Sequence, residues 1–174
     1  MSLFLTQLIN GLHVGSIYAL IALGYTMVYG IVKLINFAHG DIIMVGAYTA
    51  VITLATLGWS APVALLAAIA VCVVFGVLIE QLAYKPLRRS PRISSLITAI
   101  GVSMLLQNVA LLVFGAQPKP FPTIISLPPL RFESLQISFI TVLTVAVSCV
   151  LMVLLQGFVQ VSKTGKAMRA VSED

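Results

Sequence analysis

The chain has 174 residues, of which 60% are hydrophobic and only 9% are charged, with a formal net charge of +5 at pH 7. A soluble domain needs about a quarter of its residues charged to cover its surface, so this composition excludes an ordinary soluble domain and predicts a protein embedded in a lipid bilayer. The positive charge does not indicate nucleic-acid binding, because four of the ten basic residues lie within 85–92 and three more within 163–169. Basic clusters beside apolar runs mark cytoplasmic loops.

Long stretches without charge predict five membrane segments, and a helix across the hydrocarbon layer takes about 20 residues. Residues 58–62 contain turn residues and Trp59, which separate the second segment from the third. Five prolines within 115–134 exclude a helix there and favour an extended external loop. The sequence therefore predicts an all-α, polytopic membrane helix bundle. Its predicted segments are residues 7–32, 35–57, 61–84, 93–114 and 135–158.

The first segment carries a stripe of small residues, Gly11, Gly15 and Ala19, at intervals of four. Lipid offers no hydrophobic drive between helices, so close approach along small side chains supplies much of their packing. The stripe therefore predicts a helix-packing surface.

The head of the second segment is unusually polar, with Asn36, His39, Gly40 and Asp41 close together. One interpretation is a polar break in a translocation path, where the segment is re-entrant and the N-terminus lies inside. The other is a short cytoplasmic loop between two plain helices, in which Asp41 or Asn36 caps the second helix. In that case the N-terminus lies outside. The sequence leaves both interpretations open.

Two amides, Gln107 and Asn108, lie in the middle of the fourth segment. They are expected either to bond to neighbouring helices or to face a water-filled path. Cys72 and Cys149 lie far apart in apolar segments and predict packing residues rather than a disulfide or metal site. The sequence shows no catalytic set and no phosphate-binding loop, so we predict neither enzymatic activity nor a metal centre.

The C-terminal stretch, residues 163–174, predicts a short amphipathic cytoplasmic helix. Ala167, Met168 and Ala170 fall on an apolar face, and Lys166 and Arg169 lie opposite. Such a helix lies on the bilayer surface or docks in a groove of a partner protein. The residue pattern does not decide between the two.

Five stretches of the sequence are similar to the motifs of a known family. They are residues 15–30, 35–40 (Ile-Asn-Phe-Ala-His-Gly), 80–88, 100–108 and 164–170. They closely resemble the branched-chain amino acid permeases of bacterial ABC importers, and specifically the first of the two permease subunits. The resemblance runs from about residue 8 to residue 174 and is weakest in 115–134.

This resemblance implies a multi-pass protein of the bacterial inner membrane. Its expected partners are a second permease subunit, two cytoplasmic ATPase subunits and a periplasmic protein that delivers leucine, isoleucine or valine. ATP would be bound by those partners, so no cofactor is expected on this chain. The segment around Asn36 and His39 would lie near the translocation path. The start of a coupling helix for the ATPase would be Gly165, Lys166, Ala167, Met168, Arg169 and Ala170, which favours docking over bilayer binding.

Members of the family continue beyond the coupling helix with a second half related to the first, so the chain is expected to be the N-terminal part of a permease domain. The rival interpretations are a permease of the same architecture for urea or short amides, and a channel or non-transporting membrane scaffold.

Overall fold

The computed structural model describes residues 2–32, 36–87, 90–124, 130–132 and 135–173. Within these ranges, five helices are long and apolar enough to cross a membrane, which confirms the predicted all-α, polytopic fold class. A sixth, shorter helix follows them. The helices are α1 (Ser2–Val32), α2 (His39–Val51), α3 (Ala61–Ile79), α4 (Arg92–Phe114), α5 (Phe139–Val161) and α6 (Lys163–Glu173).

Two of the helices continue into wider π-helical turns. Ile52–Thr56 extends α2, and Glu80–Tyr84 extends α3 before a short 3-10 turn, Lys85–Leu87. In the first of these turns the Thr53 hydroxyl donates to the carbonyl oxygens of Thr49 and Ala50, at 2.8 and 3.0 Å. Such back-bonding to the preceding turn satisfies a hydroxyl that has no water to bond in an apolar helix.

The ends of the helices follow from a few local residues. Pro62 sits in the first turn of α3, where its missing N–H is not needed. Helix α4 ends at Phe114 and is followed by Gly115, whose φ of 77° is costly for residues with a Cβ. The Gly115 N–H closes the last turn of α4 on the Leu111 carbonyl at 2.9 Å.

Several predicted boundaries differ from the structure. Helix α1 begins at Ser2 rather than at residue 7, because no charge or proline interrupts the apolar run before it. The second helix begins at His39, and the predicted start at Ile35 lies outside the described residues. Residues 88–89, 125–129, 133–134 and 174, which fall in the predicted basic loop, external loop and coupling helix, lie outside them as well.

The start of the fifth predicted segment, at residue 135, is wrong. Strand β2 (Leu135–Ile137) pairs antiparallel with strand β1 (Leu130–Phe132), so that Leu130 faces Ile137. The pair precedes α5, which starts only at Phe139 after Ser138 in extended backbone. Three alternating residues, Leu-Gln-Ile, match a strand as well as a helix, and their pairing with β1 decides the outcome.

The chain divides into two compact units. The first, Met1–Lys33 with Ile125–Asp174, is called the α1/α5 unit here. In it α1 packs along α5, and α6 contacts both helices. His13 Nδ1 lies 3.0 Å from Thr141 Oγ1, a polar contact between two apolar helices of the kind that joins helices in lipid. The sequence did not single out either residue.

The second unit, Leu34–Ile124, contains α2, α3 and α4 and is called the α2–α4 unit here. Helix α3 packs against α2, and Gly46 is buried where it meets Cys72. The Cys72 thiol donates a weak hydrogen bond to the Ile42 carbonyl at 3.4 Å. Both cysteines are free thiols; Cys72 is half-buried in this unit, whereas Cys149 on α5 is exposed.

Large apolar side chains cover much of the helix surface. Leu82 is 75% exposed and Leu112 is 85% exposed. In water such a surface would favour aggregation, whereas lipid tails or neighbouring membrane helices remove that cost. The exposed side chains therefore agree with the membrane class indicated by composition.

Candidate functional site

The polar stretch before α2 is organised by Asn36. Its Oδ1 accepts a hydrogen bond from the Ala38 N–H at 3.1 Å, and its backbone carbonyl accepts from the His39 N–H at 3.2 Å. An asparagine side chain that bonds the backbone two residues later forms an Asx turn. Of the two capping residues that the sequence offered, Asn36 shapes the entry to α2, and Asp41 makes a different contact.

The same Asn36 oxygen accepts a second hydrogen bond, from the Tyr84 hydroxyl at 2.8 Å. This bond ties the π-helical end of α3 to the turn before α2. The sequence did not connect these residues, because they are 48 positions apart. His39 is half-buried at the start of the helix, and Gly40 is exposed.

Asp41 is the most buried acidic side chain among the described residues, at 6% exposure. Its Oδ1 accepts a hydrogen bond from Gln107 Nε2 on α4 at 3.0 Å, and the same amide nitrogen donates to Ser103 Oγ at 3.1 Å. The second carboxylate oxygen of Asp41, Oδ2, is buried and has no hydrogen-bond partner among the described residues. Among the described residues, only one of the two carboxylate oxygens of Asp41 is therefore hydrogen-bonded.

The structure thus brings Asp41 and Gln107 together and leaves Asn108 apart from them. The Asn108 amide donates to the Met104 carbonyl of its own helix at 2.7 Å. Adjacent residues on a helix point in directions about 100° apart, which explains why only one of the two amides reaches α2.

Two contacts show how α2 and α4 are aligned. Asp41 bonds Gln107, and the rings of Tyr48 and Phe114 stack with centroids 4.0 Å apart and planes 8° apart. Both pairs are 66 residues apart (107 − 41 and 114 − 48), so the two helices run parallel with a constant register.

By this register the first residue of α2, His39, lies level with Leu105, thirteen residues after the start of α4 at Arg92. At 1.5 Å per residue the polar start of α2 is about 20 Å along α4, near its middle. This position favours the interpretation of a polar break at membrane depth over a loop at the ends of two plain helices. The re-entrant path and the side of the N-terminus stay predictions.

An open cavity of about 220 Å³ lies on α2, just beyond this cluster. Its helical wall falls on the same face as Asp41, because side chains three, four and seven positions apart align on a helix. Two lining residues, Lys119 and Phe121, belong to the proline-containing stretch after α4, and the sequence interpretation missed them because it treated that stretch as a variable loop. The cavity is lined by Met44, Ala47, Tyr48, Val51, Lys119 and Phe121.

The two remaining predicted features lie in the α1/α5 unit. Gly11 and Gly15 are exposed on α1, and no atom of this unit lies within 4 Å of a Cβ built at either position. The stripe that they form with half-buried Ala19 is therefore open within the unit. Its role as a packing surface stays a prediction.

Residues 165–170 lie on α6, as the amphipathic pattern predicted. Ser162 caps this helix, because its hydroxyl accepts the Gly165 N–H at 2.8 Å. Gly165 is buried against α5, whereas Ala167 and Ala170 are exposed. Lys166 is exposed too, Met168 is half-buried, and the Arg169 side chain lies outside the described residues. Helix α6 thus has an exposed apolar edge, formed by Ala167 and Ala170, and is held against α5 at one end by the buried Gly165.

The described residues contain no group of three or more His, Cys, Asp or Glu side chains that could hold a metal ion.

Comparison of the sequence with known proteins identifies the family of the chain. A family model described as the permease component of the branched-chain amino acid transport system matches residues 7–174. The chain belongs to this permease family. With five helices able to cross a membrane, it is a multi-pass membrane protein. Both the Asp41–Gln107 cluster and α6 fall inside the matched range.

Curated relatives agree with the family match. The chain is 43% identical to the high-affinity branched-chain amino acid transport system permease protein BraD of Pseudomonas aeruginosa, over 98% of this chain and 60% of that protein. It is 39% identical to the LivH permease proteins of Escherichia coli K12 and Salmonella typhimurium, over 98% of this chain and 59% of each. The chain therefore spans about 60% of the length of the curated relatives that it matches. No solved structure matches the chain.

Proposed function

We propose that this chain forms part of a permease subunit in an ATP-driven importer that carries leucine, isoleucine and valine across the bacterial inner membrane. The observation that supports this most directly is the family match over residues 7–174, together with relatives named as high-affinity branched-chain amino acid permeases. The permease works with a second permease subunit, two cytoplasmic ATPases and a periplasmic substrate-binding protein. Its partners bind the ATP, and the chain has no catalytic role of its own.

In this proposal the α2–α4 unit contributes the translocation path. Polar side chains are expensive inside a membrane and normally face a path or the interior of a bundle. The polar start of α2 lies beside the middle of α4, which matches the discontinuous helices that line substrate paths in many transporters. The path residues are Asn36, His39, Gly40, Asp41, Gln107 and Asn108.

The α1/α5 unit contributes the coupling element. Helix α6 presents Ala167 and Ala170 on its exposed side, while Gly165 is buried against α5. A helix packed at one end and open along an apolar edge suits docking in a groove of another protein. Movement of the docked ATPase then passes through α6 to α5.

The direct test is reconstitution of the permease with its partner proteins in lipid vesicles. We expect radiolabelled leucine, delivered by the binding protein, to accumulate only when ATP is available to the ATPases. Uptake of urea or a short amide in place of leucine would overturn the substrate assignment. Flux without ATP would indicate a channel, and failure to bind the ATPases would indicate a scaffold.

Docking through α6 can be tested separately with Ala167→Asp and Ala170→Asp. A carboxylate buried in an apolar groove without a partner costs several kcal/mol, so leucine-stimulated ATP hydrolysis should fall about tenfold or more. Membrane insertion should be unchanged, because both residues lie outside the five apolar segments. Ala167→Ser is the matched control and should retain most of the coupling. Normal coupling in both aspartate variants would contradict docking at this edge.

A further inference from the structure

The carboxylate of Asp41 has an acceptor that the fold leaves unused. The side chain is 6% exposed, Oδ1 bonds Gln107, and Oδ2 accepts no hydrogen bond from the described residues. A buried carboxylate oxygen without a donor is strongly unfavourable, more so in an apolar helix. Such a group in a native structure requires an explanation, and a donor that arrives during function is one.

The donor that offsets this cost best is a cation. A hydrogen bond to a neutral amide, such as that from Gln107, relieves only part of the desolvation of a charged carboxylate. An ammonium group adds the charge interaction, which is strong where water is excluded. The chemistry of Asp41 therefore points to a positively charged nitrogen.

The residues around Asp41 indicate the chemistry of the rest of the ligand. Met44 lies three residues later on the same face of α2, about 4.5 Å along the helix axis. There the cavity of about 220 Å³ begins, with walls that include Met44, Ala47 and Val51. An ammonium and an aliphatic side chain thus find a carboxylate and apolar walls on one face of α2.

We propose that Asp41 Oδ2 receives the α-ammonium group of the transported amino acid at the midpoint of the path. This inference rests on the proposed function, and it assigns the contact that recognises the cargo there. The aliphatic side chain of the cargo occupies the cavity lined by α2.

Gln107 controls access to this contact. Its side chain is exposed, and its amide nitrogen donates both to Asp41 Oδ1 and to Ser103 Oγ. Rotation of the Gln107 side chain uncovers Asp41, and Ser103 keeps one hydrogen bond to the displaced amide. An arriving ammonium then gives Oδ2 the charged donor that it lacks, and the return of the Gln107 amide to Oδ1 helps to release the cargo.

The test uses the complete importer in lipid vesicles, with leucine-loaded binding protein in excess. Asp41→Asn preserves the size of the side chain and removes its charge, so leucine uptake should fall about tenfold or more. Asp41→Glu keeps the charge and should retain clearly more uptake than the asparagine variant. Thr49→Ala on α2 is the control, because the Thr49 hydroxyl donates to the Val45 carbonyl of its own helix and is not a path residue, and its uptake should stay within about twofold of the unmodified importer.

A second measurement separates cargo binding from a structural role. In a background with Cys72 and Cys149 replaced by alanine, Asp41→Cys should react with a small, positively charged methanethiosulfonate. Leucine delivered with ATP should slow this reaction but leave the same reaction at Ser60→Cys, an exposed position in the turn before α3, unchanged. Protection at position 41 supports contact with the cargo.

Three results would overturn the inference. They are unchanged uptake by Asp41→Asn, absence of leucine protection at position 41, and equal failure of the asparagine and glutamate variants to assemble with the partner subunits. The last would show that the carboxylate pairs permanently within the assembled protein. Absence of leucine uptake by the unmodified importer would instead overturn the proposed function itself.

Discussion

A Gly165→Ala variant is expected to release α6 from α5 and thereby to abolish the proposed coupling to an ATPase. A Cβ at this position would collide with the Val159 carbonyl oxygen and come within 2.5 Å of the Val159 Cα. Main-chain atoms of a membrane helix cannot move aside cheaply, unlike the end of a flexible side chain. The displacement therefore falls on α6, which loses its contact with α5 and the position of its docking edge.

The displacement of α6 can be measured without any partner protein. Trypsin cleaves after Lys163 and Lys166, both on α6, and cleavage of a helix follows its local opening. We expect cleavage of the Gly165→Ala variant to be about tenfold faster or more, together with a similar loss of leucine-stimulated ATP hydrolysis.

The control for this experiment is Gly157→Ala, on α5. No described atom lies within 4 Å of a Cβ at Gly157, and alanine is favoured over glycine inside a helix by about 0.5–1 kcal/mol. This variant should show normal cleavage and coupling. A Gly165→Ala protein that is as resistant to trypsin as the unmodified one would show that α6 does not depend on the buried glycine.

Gly46→Ala is the second change with a large expected effect, here on stability. A Cβ at Gly46 would lie 2.7 Å from the Cys72 sulfur. That sulfur is not free to swing away without cost, because its thiol bonds the Ile42 carbonyl. Inserting a methyl group into a filled contact usually costs about 1–3 kcal/mol, so α2 and α3 should separate more easily.

A double-mutant cycle identifies the cause of this loss. Cys72→Ala removes the obstructing sulfur, so the Gly46→Ala/Cys72→Ala protein should recover stability, with an interaction energy of about 0.5–3 kcal/mol. Reversible chemical unfolding of the detergent-solubilised permease measures each variant. Gly76→Ala on α3, where no described atom lies within 4 Å of a Cβ, is the control. Additive effects of the two changes would exclude the Gly46–Cys72 contact as the cause.

The membrane segments could be predicted because their signal is local. A helix in lipid satisfies its own backbone, so a long apolar run without charge is enough to indicate a spanning helix. The boundary error at residue 135 has the opposite origin. Residues Leu135–Ile137 form a strand through pairing with Leu130–Phe132, and no local pattern records that pairing.

The candidate site was predictable in part. Asn36 and Asp41 stand out because they interrupt an apolar sequence, and Gln107 stands out for the same reason. Which residues pair with one another is not visible in the sequence. The Asn36–Tyr84 and Asp41–Gln107 bonds join residues 48 and 66 positions apart, and His13 meets Thr141 across 128 positions. Lys119 lines a cavity only because the stretch after α4 passes over α2.

The sequence by itself determined that this is a multi-pass membrane protein of the branched-chain permease family. Hydropathy and short motifs are properties of consecutive residues, and the free energy of transfer into lipid is nearly a sum over them. The tertiary structure decided which of two adjacent amides reaches Asp41 and how far along α4 the polar start of α2 lies. It also decided which glycines, Gly46 and Gly165, have neighbouring atoms where a Cβ would lie. These outcomes depend on the register between helices, where a shift of one residue turns each side chain by about 100° and replaces every contact.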